Sequence, residues 1–178
     1  MYRLFVAIDL PEEIKNAVGA IAGRDLIGAR WVPREQLHLT LRFIGDADEK
    51  IYQAVKNELG NVRGTPLSLI MKGVGHFPQG REPRVLWVGL EESAHLLDLQ
   101  KKIERSIINA GVAADERRFS SHITIARLRE TPFAEVASLE GMQRQFTAGP
   151  FPVEEFYLYS STLTREGAIH RREAAYRL

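Results

Sequence analysis

Leu4, Val6, Ile8 and Leu10 alternate with Arg3, Phe5, Ala7 and Asp9, so residues 3–10 read as a strand with one strongly apolar face. Pro11-Glu12-Glu13 then opens a helix, proline fitting its first turn and the acids its positive end. Ile14, Val18 and Ile21 mark the buried stripe of that helix, and Gly23 is expected to stop it. Residues 29–32 predict a short strand, ended by a turn at Pro33. Alternation returns over residues 37–44 and closes at Gly45. Asp46 or Asp48 caps the next helix, in which Ile51, Val55 and Leu59 share a side and Gly60 marks the end. Residues 67–74 predict another strand, and the glycines and prolines of 75–83 predict a loop. Residues 84–90 form a buried strand, and Ser93 caps the longest helix, with Leu96, Leu99, Ile103 and Ile107 inward and Gly111 at its end. A polar loop at 113–118 delivers a strand at about 119–127. Thr131-Pro132 starts a short helix carrying Phe133, Val136 and Leu139. Glycine and proline at 149, 150 and 152 lead into a strand at 153–160, and a last strand at 169–176 follows a turn through Gly167.

Two of these strands carry the same polar insertion. Leu37-His38-Leu39-Thr40-Leu41 is echoed by Ser121-His122-Ile123-Thr124-Ile125. Side chains alternate along a strand, so His38 and Thr40 share one face, roughly 7 Å apart, while the leucines take the other. His122 and Thr124 repeat the arrangement. The two copies lie nearly half a chain apart, each among helices and strands in similar order. This predicts a diverged duplication: a single α+β domain over residues 1–178, bilobal and pseudo-symmetric. Each lobe is expected to hold a mainly antiparallel sheet flanked by helices, with the active-site cleft between them.

Composition narrows the chemistry. The 178 residues suffice for a proper core, and 44% hydrophobic with 26% charged residues is ordinary for a globular protein. No apolar run approaches the roughly 20 residues that span a bilayer, and the acid at Asp9 comes too early for a secretory signal. The absence of cysteine excludes disulfides, thiol catalysis and thiolate metal sites, and makes the cytoplasm the expected compartment. A net charge of +1 gives no global pull on nucleic acid, but Arg117-Arg118, Arg127, Arg129 and Arg171-Arg172 could supply it locally.

A histidine on each wall of a cleft suits in-line displacement at phosphorus. One imidazole deprotonates the attacking oxygen and the other protonates the departing one, both near neutral pH. Threonine hydroxyls beside them can donate to the non-bridging phosphate oxygens. A lone His-x-Thr would be read as a satisfied, half-buried pair; two in apolar strands demand a use. Zinc would need further ligands, and no His-x-x-x-His, cysteine or adjacent carboxylate provides them. The sequence also lacks a Gly-x-Ser-x-Gly elbow and a Walker loop. His76, His95 and His170 read as surface or packing residues, with His76 able to reach the cleft from its expected loop. Phe5 and Phe43 could stack on a base, although core packing is the plainer reading.

At these residues the chain resembles the two-histidine (2H) phosphoesterase superfamily. Within it, it is similar to the RNA 2′,3′-cyclic phosphodiesterases, also called 2′-5′ RNA ligases. The resemblance extends through Arg3-Leu4-Phe5-Val6-Ala7-Ile8, Trp31-Val32-Pro33, residues 37–45, residues 83–89, residues 119–127 and Leu158-Tyr159-Ser160-Ser161-Thr162-Leu163. Ser121 departs from it, standing where the family usually has proline. The resemblance implies metal-independent hydrolysis of cyclic phosphate ends to 2′-phosphomonoesters, with no cofactor. It makes His122 the proton acceptor, His38 the proton donor, and Thr40 and Thr124 the phosphate-binding residues. Ligation through a 2′-5′ linkage would follow when a 5′-hydroxyl replaces water, and joining of tRNA halves is one form of it. The implied partners are RNA ends or small cyclic nucleotides, bound by a monomer without a membrane or an obligate protein. Arg42 and Arg127 are further candidates for the substrate. Alternation puts Arg42 on the His38 face; it puts Arg127 opposite His122 unless a bulge intervenes, whereas the resemblance favours Arg127. The rival reading is a non-catalytic nucleotide- or RNA-binding module of the same fold.

Overall fold

The computed structural model describes residues 1–22, 25–165 and 167–178. Its strands are β1 (Tyr2–Asp9), β2 (Ala29–Trp31), β3 (His38–Ala47), β4 (Leu67–Gln79), β5 (Glu82–Leu90), β6 (His122–Leu128), β7 (Thr147–Val153), β8 (Glu155–Thr164) and β9 (Gly167–Arg177). Its helices are α1 (Glu12–Gly19), α2 (Glu49–Leu59), α3 (Ala94–Asn109) and α4 (Phe133–Met142), with a short 3-10 turn at Arg34–Gln36. Asp48 and Ser93 cap α2 and α3, accepting from the Ile51 and Leu96 amides. Gly23, expected to stop α1, lies outside the described residues.

The strands form two antiparallel sheets, ordered β3-β1-β8-β9 and β2-β6-β5-β4-β7. The α+β, two-sheet architecture is the one the sequence implies. Helices α2 and α3 back the first sheet, and α1 and α4 the second. One continuous core joins them, from Leu4, Val6, Ile8 and Leu39 on one side to Leu86, Val88, Ile123 and Phe151 on the other. The two sheets match under an exchange of strands. Each motif strand pairs with the strand that opens its half, β3 with β1 and β6 with β5. The next neighbour comes from the other half, β8 beside β1 and β4 beside β5. The lobes are therefore interlocked rather than consecutive along the chain.

Two expectations need correction. Residues 75–79 are not loop: β4 runs on to Gln79, and its hairpin with β5 turns through Gly80 and Arg81. Gly75 is there because the Trp87 indole lies against it; a Cβ at this position would come within 2.4 Å of that ring. The proline-bearing stretch before Val153 is itself a strand, β7. It is the outermost strand of its sheet, where a missing N–H costs no ladder bond.

Candidate active site

The motif strands β3 and β6 lie against one another across the two sheets. On β3, cross-strand pairing puts His38 beside Asp9 and Thr40 beside Ala7, on the face turned away from the helices. On β6, His122 faces Gly89 and Thr124 faces Trp87. Leu39, Leu41, Ile123 and Ile125 are buried on the opposite side.

Both histidines are fixed in the same way. The Nδ1 of His38 donates to the Gln36 carbonyl at 2.6 Å, and the Nδ1 of His122 to the Ser120 carbonyl at 2.7 Å. A carbonyl can only accept, so each neutral ring carries its proton on Nδ1 and keeps the Nε2 lone pair. An aromatic ring steadies each: Phe5 lies 5.0 Å from His38, and Phe77 meets His122 edge-on at 4.8 Å. Phe77 reaches His122 because β4 continues where a loop was expected. Burial lowers the pKa of both rings. For His38 it falls to about 4, with His170 and Lys15 pushing down and the Gln36 carbonyl and Asp9 pushing up. For His122 the fall is reinforced by the nearby Arg127 charge and opposed by the Ser120 carbonyl.

A bulge follows the threonine in both strands and decides the arginines. On β3, Ala7 pairs with Thr40 and Val6 with Arg42, leaving Leu41 as the extra residue. Arg42 is thereby turned to the helix side, contrary to strict alternation. It is 7% exposed and bonds Glu104 of α3 at 2.5 Å, together with the Phe43 and Ala113 carbonyls. On β6, Trp87 pairs with Thr124 and Leu86 with Ala126, leaving Ile125 as the extra residue. This bulge turns Arg127 onto the face of His122 and Thr124, opposite Val85. The equivalent position on β3 is Phe43, 52% exposed and 6.1 Å from Phe5. One strand thus follows its motif with a cation and the other with an aromatic ring.

His76 does not enter the site. It bonds Glu140 of α4 at 2.5 Å and meets Phe133. His170 does, against expectation. Its ring lies 5.3 Å from His38 and 4.9 Å from Phe5. No motif announces it; only the pairing of β9 with β8 brings it there. Among the described residues no cluster of three or more histidines, cysteines or carboxylates is placed to hold a metal ion.

Residues 10–165 match the family model of the 2′-5′ RNA ligase superfamily. The chain belongs to that superfamily. Among members of it, the RNA 2′,3′-cyclic phosphodiesterase of Thermotoga maritima is 36% identical over 174 residues, covering 95% of this chain and 91% of its own. The enzyme of the same name from Archaeoglobus fulgidus is 32% identical over 172 residues, covering 95% and 96%. The crystal structure of E. coli LigT complexed with 3′-AMP superposes with a TM-score of 0.80 at 26% identity, covering 99% of this chain and 98% of that one. As in the superfamily resemblance read from the sequence, both His-x-Thr motifs are intact.

Proposed function

We propose that this protein is a metal-independent RNA 2′,3′-cyclic phosphodiesterase using two-histidine acid–base catalysis. The observation that carries the reading is the matched pair of imidazoles, each held through Nδ1 by the carbonyl two residues earlier, each left with Nε2 for chemistry. Neutral His122 takes a proton from water as the water oxygen bonds to phosphorus. Protonated His38 gives its proton to the 3′-oxygen as that P–O bond breaks, which leaves a 2′-phosphomonoester. Thr40 and Thr124 donate to the non-bridging oxygens, and Arg127 adds positive charge on the His122 side. A 5′-hydroxyl in place of water would give a 2′-5′ linkage by the same proton transfers. The names of the similar proteins support the substrate, and LigT with 3′-AMP supports nucleotide binding on this fold. The same reading takes the chain as one domain of two duplicated, strand-exchanged lobes, acting as a cytoplasmic monomer.

The experiment is turnover of a cyclic-ended RNA and of a 2′,3′-cyclic nucleotide in EDTA. His38→Ala and His122→Ala should each lower kcat by about 10²–10⁴. Wild-type turnover with undiminished activity in both variants overturns the mechanism. No turnover by the wild type moves the assignment to a nucleotide-binding module.

A further inference from the structure

Lys15 of α1 is 7% exposed, a burial that lysine rarely accepts without a partner. Its Nζ reaches Oδ1 of Asp9 at 3.0 Å, an oxygen that also accepts from the Leu10 amide at 2.9 Å. The other carboxylate oxygen, Oδ2, accepts from Arg172 of β9 at 2.9 Å. One acid is thus shared by two cations, and the cluster carries a net charge of +1. It lies against the catalytic site. Asp9 stands directly across from His38 in the β1–β3 pair. Residues so paired point to one face with their Cβ atoms about 4.5–5.5 Å apart.

We propose that Asp9, Lys15 and Arg172 form a charge cluster that tunes the acid: Asp9 favours a proton on His38, and the two cations sharing its carboxylate withdraw most of that support. The inference rests on the proposed function in one respect, that His38 is the acid.

The ring of His38 is faced by Asp9 from β1, Lys15 from α1, Glu35 from the 3-10 turn, Tyr159 from β8, and His170 and Arg172 from β9. Burial keeps Tyr159 and His170 uncharged near neutral pH, raising the pKa of the phenol and lowering that of the imidazole. The charge next to His38 is then that of the cluster, with Glu35 at the rim of the pocket. Burial is the main reason that His38 resists protonation; Asp9 opposes it and Lys15 reinforces it. A net positive cluster disfavours imidazolium in the empty site and attracts a phosphate anion. The bound anion offsets the cluster, so His38 takes up its proton together with the substrate that will receive it. Asp9 has a plainer role as well, holding the turn from β1 into α1 through Leu10 and Lys15. That role has no dependence on the sign of a charge. The tuning role does.

NMR titration of the His38 ring in the full chain reads this without turnover. Lys15→Met, which keeps the length of the side chain and removes its charge, should raise the titration midpoint by about 0.5–1 pH unit. Asp9→Asn, which can still accept from the Leu10 amide, should lower it. The double variant has a net charge of +1 again and should return most of the way to the wild-type midpoint. The alkaline limb of kcat/KM should move with the midpoint in each case. A purely structural role predicts reduced activity in all three with the midpoint unmoved. Arg172→Met, at a half-exposed position, tests the same upward sign if Lys15→Met does not fold. An unmoved or lowered midpoint in whichever of these two folds overturns the proposal. So does a double variant that lies further from wild type than both single variants. The expected shifts without wild-type turnover would count against the proposed reaction and leave the cluster standing.

Discussion

The lowered pKa of each imidazole has a direct kinetic consequence. Desolvation disfavours the charged ring, so both histidines of the free enzyme are neutral above about pH 6.5. His122, the proposed base, is then ready, whereas His38, the proposed acid, holds a proton only under more acidic conditions. Both limbs of the kcat/KM profile should therefore fall below 6.5. The bound phosphate is an anion and favours imidazolium, so the alkaline limb of kcat should lie above that of kcat/KM. Measuring both profiles checks this; a kcat/KM that declines only above neutrality contradicts it. Arg42 makes a different prediction. Its guanidinium joins β3 to Glu104 on α3, and removal strands a partly buried carboxylate. Arg42→Ala should cost about 3 kcal/mol in denaturant unfolding and leave KM nearly unchanged at a temperature where the variant is folded. A raised KM with intact stability would restore the substrate-binding role expected from alternation.

The bulges at Leu41 and Ile125 explain why strict alternation puts both arginines on the wrong face, whereas the allowance for a bulge before Arg127 puts that residue on the side of His122. One extra residue reverses every later side chain, and nothing in Leu41-Arg42 or Ile125-Ala126-Arg127 distinguishes a bulged from a regular strand. The alternating strands, the Asp48 and Ser93 caps and the helix stripes were legible because local chemistry determines them. The far end of β4 was not, since Gly75 and Pro78 look like turn residues. Gly75 answers instead to a contact with Trp87, which no local pattern encodes. Gly75→Ala should push the Trp87 ring from its place opposite Thr124. The overpacking should cost about 1–3 kcal/mol and lower activity, read by Tm and by tryptophan fluorescence. Unaltered stability and emission would show that the ring has room.

At the scale of the molecule, the two motifs announce a paired site, and the strands that carry them, β3 and β6, meet across two strand-exchanged sheets. With β8 beside β1 and β4 beside β5, neither lobe can form its sheet without the other half of the chain. His170 became a neighbour of His38 through that exchange, and so escaped a reading made along the sequence. The division of labour between the imidazoles is testable at a single atom. When the bridging 3′-oxygen of the substrate is replaced by sulfur, the leaving group departs as a thiolate, which is a far weaker base than an alkoxide, thiols ionising near about 8.5, and so needs no help from an acid. The decisive measurement is the turnover of this substrate by His38→Ala and His122→Ala. Sulfur should restore His38→Ala toward the wild-type rate and leave His122→Ala impaired; restoration of His122→Ala, or of neither variant, would contradict two histidines acting as base and acid at one phosphorus.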